Sequence, residues 1–394
     1  MPNSSYLSID TATELKREIL NPGGLSVILQ GGLFWDNLVN VANCVRHVRD
    51  IFPNAQIIVS ISSCELLFVS SKSDNSYLLA AEQLDNTIQA DALRLIFEES
   101  DVVFSRGALP LPPLKDGMGE NAVNNFNLQL AAAQTGLSLA KGKYTLRIRN
   151  DLVFSDLSFI DHYTNRSNLQ RVKPQFKERI LISNIFTLNP YLTERLSFHF
   201  SDWFHFGLTA DIIELWQPEP IKYSEAIYFR CHPHTEDTNQ VEKLFYFRFA
   251  TEQHLNFSFY RRRLGLVPMD GHNDPRYRDL SMQALLDDFV LVSPKDCNIV
   301  FDKYKNAFDD QNLDLICILP EEWDYLANHR DIEPKIYYEQ KIKMVEKSTM
   351  STETRLQIRD IIDDVFFFFT KKLPKTVSVI FRALLSLREG GKDC

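Results

Sequence analysis

Glycine is scarce in this sequence, with 14 in 394 residues, and the glycines that occur never assemble into G-x-G-x-x-G or G-x-x-x-x-G-K-[ST]. A dinucleotide fingerprint or a P-loop is therefore poorly supported. Cysteine is scarce too. The six stand at 44, 64, 231, 297, 317 and 394, too far apart for a CxxC zinc or redox motif. Cys44 and Cys64 fall in apolar segments, which points to buried reduced thiols rather than disulfides. Long apolar runs are missing: no stretch reaches the roughly 18 residues of a spanning helix, and Met1–Glu18 does not read as a secretory signal. An excess of base is also missing. With 43 basic against 52 acidic residues the net charge is −9, which argues against a nucleic-acid partner. Apolar residues at 44% and charged residues at 24% exclude a disordered or collagenous chain.

What is present is an alternation of strand and helix patterns. Leu25–Gln30 is an apolar run closed by Gly31-Gly32, which reads as a buried strand and its loop. Residues 36–51 space apolar side chains helically, Pro53 and Asn54 break the pattern, and Gln56–Ser62 is a second, β-branched strand. Strand, helix and strand within about 35 residues form a βαβ unit with parallel strands. A helix is expected over 76–99 and a third strand over Asp101–Ser105. Asn124–Ala140 reads as a helix ended by Gly142, and Tyr144–Ile148 as a fourth strand. Further strands are expected at Ile180–Phe186, 264–267 and 289–292, with a helix opening at Thr251-Glu252-Gln253 after the strand-like Phe245–Ala250. The expected fold class is α/β, a mostly parallel sheet flanked by helices. The expected organisation is one unit over 1–330 and a helical tail over 331–394. Ligands of such sheets sit at the carboxyl ends of strands where strand order reverses. Gln30-Gly31-Gly32 and Arg149-Asn150-Asp151 are the polar strand ends that would share a crevice.

Several residues carry candidate chemistry. Gln30 and Gly31 let backbone approach a ligand, or form a plain turn. Asn127 and Gln129 offer paired donors and acceptors suited to bases and sugar hydroxyls, or belong to a helix cap. Arg147, Arg149 and Asp151 share one face by their period of two. They suit a diphosphate and a metal or ribose hydroxyl, or a structural ion pair. Ser201-Asp202-Trp203-Phe204-His205-Phe206-Gly207 sets an acid and an imidazole among aromatics, which suits a general base at Asp202 with Trp203 and His205 toward an acceptor. The alternative is an Asp that caps backbone amides. Glu252 is a second acid, at a helix start that itself favours a carboxylate. His232, His234, Glu236 and Asp237 read as a solvated loop, and Arg261-Arg262-Arg263 as a solvated helix face. From Phe366 to Arg388 the chain holds five basic residues and no acid, with a Phe-Phe-Phe-Phe run and an apolar stripe. Such a tail suits a membrane interface, or a dock on protein.

The motifs Ser-Val-Ile-Leu-Gln-Gly (26–31), Tyr-x-Leu-Arg-x-Arg-x-Asp (144–151), Ser-Asp-Trp-Phe-x-Phe-Gly (201–207) and Glu-Gln (252–253), with the Asn125–Ala140 segment, together resemble the WavE-type lipopolysaccharide-synthesis family. The resemblance spans about residues 25–260. It implies a GT-A-like glycosyltransferase that moves a sugar from a nucleotide- or diphosphate-linked donor to a lipid-linked or oligosaccharide acceptor of lipopolysaccharide, O-antigen or capsule. It places Gln30 and Gly31 near the donor, and Asp151 where an Asp-x-Asp motif would hold Mn²⁺ or Mg²⁺. Here Arg149 replaces the first acid, which weakens the expectation of a metal and makes Arg147 or Arg149 the source of positive charge. Asp202 is the expected base and Glu252 the reserve. The implied location is the bacterial cytoplasm, on the inner face of the cytoplasmic membrane. A scaffold that has lost catalysis, and a phosphatase or nucleotide-sugar hydrolase, are the alternatives.

Overall fold

The structure, a computed structural model, describes residues 9–34, 37–64, 93–98, 100–116, 122–192, 195–236, 238–301 and 316–349. The basic tail at 366–388, most of the helix expected over 76–99, and Asp237 lie outside the described residues. In chain order the main elements are α1 (Ile9–Leu20), β1 (Leu25–Leu33), α2 (Leu38–Ile51), β2 (Gln56–Cys64), β3 (Asp101–Phe104), α3 (Phe126–Leu137), β4 (Tyr144–Arg149), β5 (Val153–Phe154), α4 (Ser158–Arg166), β6 (Ile180–Ser183), β7 (Phe204–Leu208), α5 (Thr209–Leu215), α6 (Thr251–Leu264), α7 (Arg278–Asp288), β8 (Phe289–Val292), β9 (Ile299–Val300), α8 (Pro320–Asn328) and α9 (Pro334–Thr349).

Seven strands form one sheet in the order β3-β2-β1-β4-β7-β6-β8. β7 runs against both its neighbours, while the other pairings are parallel. β1 and β4 are buried on both faces because helices cover the sheet; one face of each is apolar, and the other also carries the buried polar residues Ser26, Gln30, Thr145 and Arg147. α3 presses closely on β1: a Cβ at Gly136 would sit 2.7 Å from Ile28 Cγ2. Beneath β4 and β7, Tyr144, Phe154, Phe159, Tyr163, Phe204 and Phe206 pack edge-to-face and stacked with centroids 4.6–6.4 Å apart. Four of the 28 phenylalanines, Phe154, Phe159, Phe204 and Phe206, lie in this cluster.

Two expected strands are absent. Leu264 ends α6, and Gly265 takes the left-handed φ of 66° that closes a helix, so 264–267 turns rather than extends. Phe245–Ala250 makes a single bridge, Phe245 with Lys115, because its backbone groups are taken by separate segments: Tyr246 N–H donates to the Leu114 carbonyl, Arg248 N–H to the Glu225 carbonyl, and the Tyr246 carbonyl accepts from Phe229. Ser201–Gly207 supplies β7, an interior strand. Tyr338 of α9 is buried and its hydroxyl donates to Glu322 at 3.2 Å, so α9 packs on the body.

Candidate active site

β1 and β4 pair in register with Gln30 opposite Arg149, and the Asn150 N–H donates to the Gln30 carbonyl at 2.8 Å. The two polar strand ends therefore adjoin. Because β7 is antiparallel to β4, with Ile148 opposite Phe204, the Asp202-Trp203 segment that leads into β7 arrives at the same edge. β2 and β4 lie on opposite sides of β1, so this edge is a point where strand order reverses. A cleft of about 650 Å³ opens there, lined by Gln30, Gly31, Gln129, Arg149, Asp151, Asp202, Trp203 and Glu252 among others.

Gly31 has a steric reason to be glycine, since a Cβ there would lie 2.5 Å from the Asn150 side-chain carbon. That Asn150 amide donates to the Gly32 carbonyl at 2.7 Å, locking the two strand ends together. Arg149 grips Asp151 with two bonds, 2.9 Å from Nε and 2.8 Å from Nη2. Both oxygens of Asp151 are thus engaged by a guanidinium. Among the described residues no three His, Cys, Asp or Glu come together as metal ligands. This donor set does not fit a divalent cation held by paired carboxylates.

Asp202 is nearly buried and one of its oxygens accepts from the Gln129 amide at 2.5 Å. Trp203 lies against Phe301 and Phe186 with centroids 4.7 and 5.7 Å away, presenting an aromatic wall. Glu252, in the first turn of α6, accepts from Thr251 Oγ1 at 2.7 Å and faces His199 Nε2 at 3.4 Å. Lys115 and His199 also line the cleft. Sequence reasoning missed both. A lone Lys and a His inside an apolar run carry no local pattern, although Glu252 hinted that α6 begins at the site.

Three expected residues face inward instead of lining the cleft. Arg147 is fully buried, donates to Gln30 Oε1 at 2.9 Å and to the Asp202 carbonyl, and stacks 4.2 Å from the Trp216 ring. Burial pulls its guanidinium down to about 9, against the opposing pull of Asp202. Asn127 clamps the backbone of Ile221 through both a donor and an acceptor, at 3.0 and 2.9 Å. His205 is fully buried beside Trp216, whose indole N–H donates to its Nδ1 at 3.4 Å.

Among the described residues burial lowers the pKa of four imidazoles, His205, His234, His254 and His272, and two of them move far. Burial, then Arg147, pushes His205 well below its ordinary value. Burial, then His234, pushes His272 down to about 3. The unfolded chain binds a proton on these groups below about pH 6.5, while the folded chain does not. Stability from His272 is therefore present above about pH 6.5 and is lost as pH falls toward 3. The expected slope is about 1.4 kcal/mol per pH unit from that residue. Chemical denaturation across that window measures it, and His272→Phe should flatten the curve.

No curated protein matches the chain. Among solved structures, one match is the crystal structure of an active-site mutant of LgtC, at a TM-score of 0.32 and 10% identity, over 76% of this chain and 99% of that one. The family model described as WavE lipopolysaccharide synthesis matches residues 115–343, beginning after Gln30 and Gly31 and extending beyond Glu252. That match covers more than half of the chain and takes in β4, β7 and the start of α6, and the chain belongs to the WavE lipopolysaccharide-synthesis family.

Proposed function

We propose that this protein is a glycosyltransferase with a GT-A-like arrangement, moving a sugar from a nucleotide- or diphosphate-linked donor to a lipopolysaccharide, O-antigen or capsule glycan. The observation that carries this reading is one cleft, at the ends of β1 and β4, lined by two carboxylates, Asp202 and Glu252, together with the Arg149–Asp151 pair.

In the proposed inverting step an acceptor hydroxyl oxygen attacks the anomeric carbon. The bond from that carbon to the donor phosphate oxygen breaks, and the electron pair leaves on the phosphate. One of the two carboxylates orients the hydroxyl and the other takes its proton. Arg149 and Lys115 meet the growing charge on the phosphate, and no step is routed through a metal. Trp203, buried against Phe186 and Phe301, shapes the cleft wall on the acceptor side. Gln30, Gly31 and Gln129 border the donor, while Arg147, Asn127 and His205 support the wall from behind. We assign the acceptor to the inner face of the cytoplasmic membrane, with residues 366–388 holding the protein there. Removing 366–394 is expected to abolish co-sedimentation with anionic vesicles, and unchanged sedimentation would sink that assignment.

A thermal-shift screen of activated sugars, each with Mn²⁺ and with EDTA, tests the donor site. A donor at 100 times its Kd should stabilise the folded protein by about 2.7 kcal/mol. It should do so in EDTA as well. Stabilisation only with Mn²⁺ would restore the metal, and no stabilisation by any activated sugar would remove the transferase reading.

A further inference from the structure

His199 stands on the cleft wall beside Glu252, and its ring is oriented by its neighbours. Its Nδ1 lies 2.9 Å from the Phe186 carbonyl oxygen, which can only accept, so Nδ1 carries the hydrogen. In the neutral ring Nε2 is then the nitrogen without a hydrogen, and it faces Glu252 Oε2 at 3.4 Å. A carboxylate and a bare ring nitrogen both present lone pairs across that gap. One proton placed between them turns a repulsion into a charge-assisted contact.

The fold holds the two groups in this relation from both sides. Gln253 and Asn256 of α6, both fully buried, donate to the Ser197 carbonyl at 2.8 Å and to the Phe200 carbonyl at 3.2 Å. The helix that carries Glu252 is thereby tied to the chain before and after His199. Phe186 and Phe198 take left-handed φ values of 63° and 58°, unusual for bulky residues, and the carbonyl of the first is the one that holds the ring. Glu252 faces the ring from α6. Asp202 stands on the ring's own segment, and Lys115 and Arg149 line the same cleft.

We propose that His199 and Glu252 act together as the proton acceptor for the attacking hydroxyl, an inference that rests on the transferase reading above. When the hydroxyl oxygen bonds the anomeric carbon, its O–H bond breaks and the proton comes to rest between Glu252 Oε2 and His199 Nε2. The electron pair of the broken glycosyl bond leaves on the donor phosphate. Asp202, tied to Gln129, is left to aim the hydroxyl.

Two measurements on the full chain test this. Nitrogen-15 histidine NMR should show the His199 hydrogen on Nδ1, and Glu252→Gln should move the Nε2 resonance. A neutral ring with its hydrogen on Nε2 would overturn the proposal. In transfer assays, Glu252→Gln should lower kcat by about 10²- to 10⁴-fold. His199→Asn keeps a donor for Phe186 but removes Nε2. It should lower kcat by about a hundredfold and displace the pH profile, with the donor-induced thermal shift retained. Wild-type turnover and an unmoved pH profile in His199→Asn would overturn the pairing while leaving the transferase reading standing. Absence of transfer and of donor binding in the wild type would overturn both.

Discussion

Asp202→Asn is expected to lower sugar transfer by about a hundredfold or more while the protein stays folded. The substitution keeps the shape of the side chain. The asparagine carbonyl can still accept the Gln129 amide, which reaches the Asp202 carboxylate at 2.5 Å. The bond from Arg147 ends on the backbone carbonyl of residue 202, so it survives any change of side chain. What is lost is one negative charge in a nearly buried position on the cleft wall. A charged acceptor fixes a hydroxyl far better than a neutral one, because hydrogen bonds to ionised groups are roughly twice as strong. Turnover with purified donor and acceptor, alongside a denaturation curve, measures the two effects separately. A protein that acted only as an assembly scaffold would keep its cellular phenotype with this substitution. Unchanged turnover would remove Asp202 from the reaction.

The parallel half of the sheet was legible because buried parallel strands advertise themselves as apolar runs with helices between. Leu25–Gln30, Gln56–Ser62 and Tyr144–Ile148 were each read to within three residues of the strand that forms. The crevice between Gln30 and Arg149 was legible for the same reason, since parallel neighbours end side by side. The interior place of β7 was not. An antiparallel strand between two parallel ones has no local pattern, and Phe204–Leu208 alternates no differently from an edge strand. His199 was hidden by the same topology. Its partners Phe186 and Glu252 lie 13 and 53 positions away, so only the folded sheet and the start of α6 bring the three together. The period-two argument placed Arg147 with Arg149 and Asp151, and it could not give depth. Two residues along a strand is roughly 6.6 Å, enough to move a guanidinium from the cleft into the core.

That depth sets the largest expected effect on stability. Arg147→Met is expected to destabilise the fold by about 2–4 kcal/mol, read from chemical denaturation. The new side chain fills similar space against Trp216, on whose ring the guanidinium now stacks at 4.2 Å. It cannot donate, so Gln30 Oε1 and the Asp202 carbonyl lose their shared, buried donor. Each orphaned acceptor costs about 1–3 kcal/mol. Part of that is offset, because the buried cation is itself under-satisfied: its Nη2 has no partner among the described residues. Arg147→Lys should not rescue the loss. A single ammonium cannot serve the Gln30 amide and the Asp202 carbonyl with the geometry of a fork, and it forfeits the stacking on Trp216. Arg147→Lys should also weaken binding in the cleft, because Gln30 and Asp202 both border it and Arg147 joins them from behind. Wild-type stability in Arg147→Met would show that the sheet ladders of β4 with β1 and β7 hold this region without the Arg147 bridge.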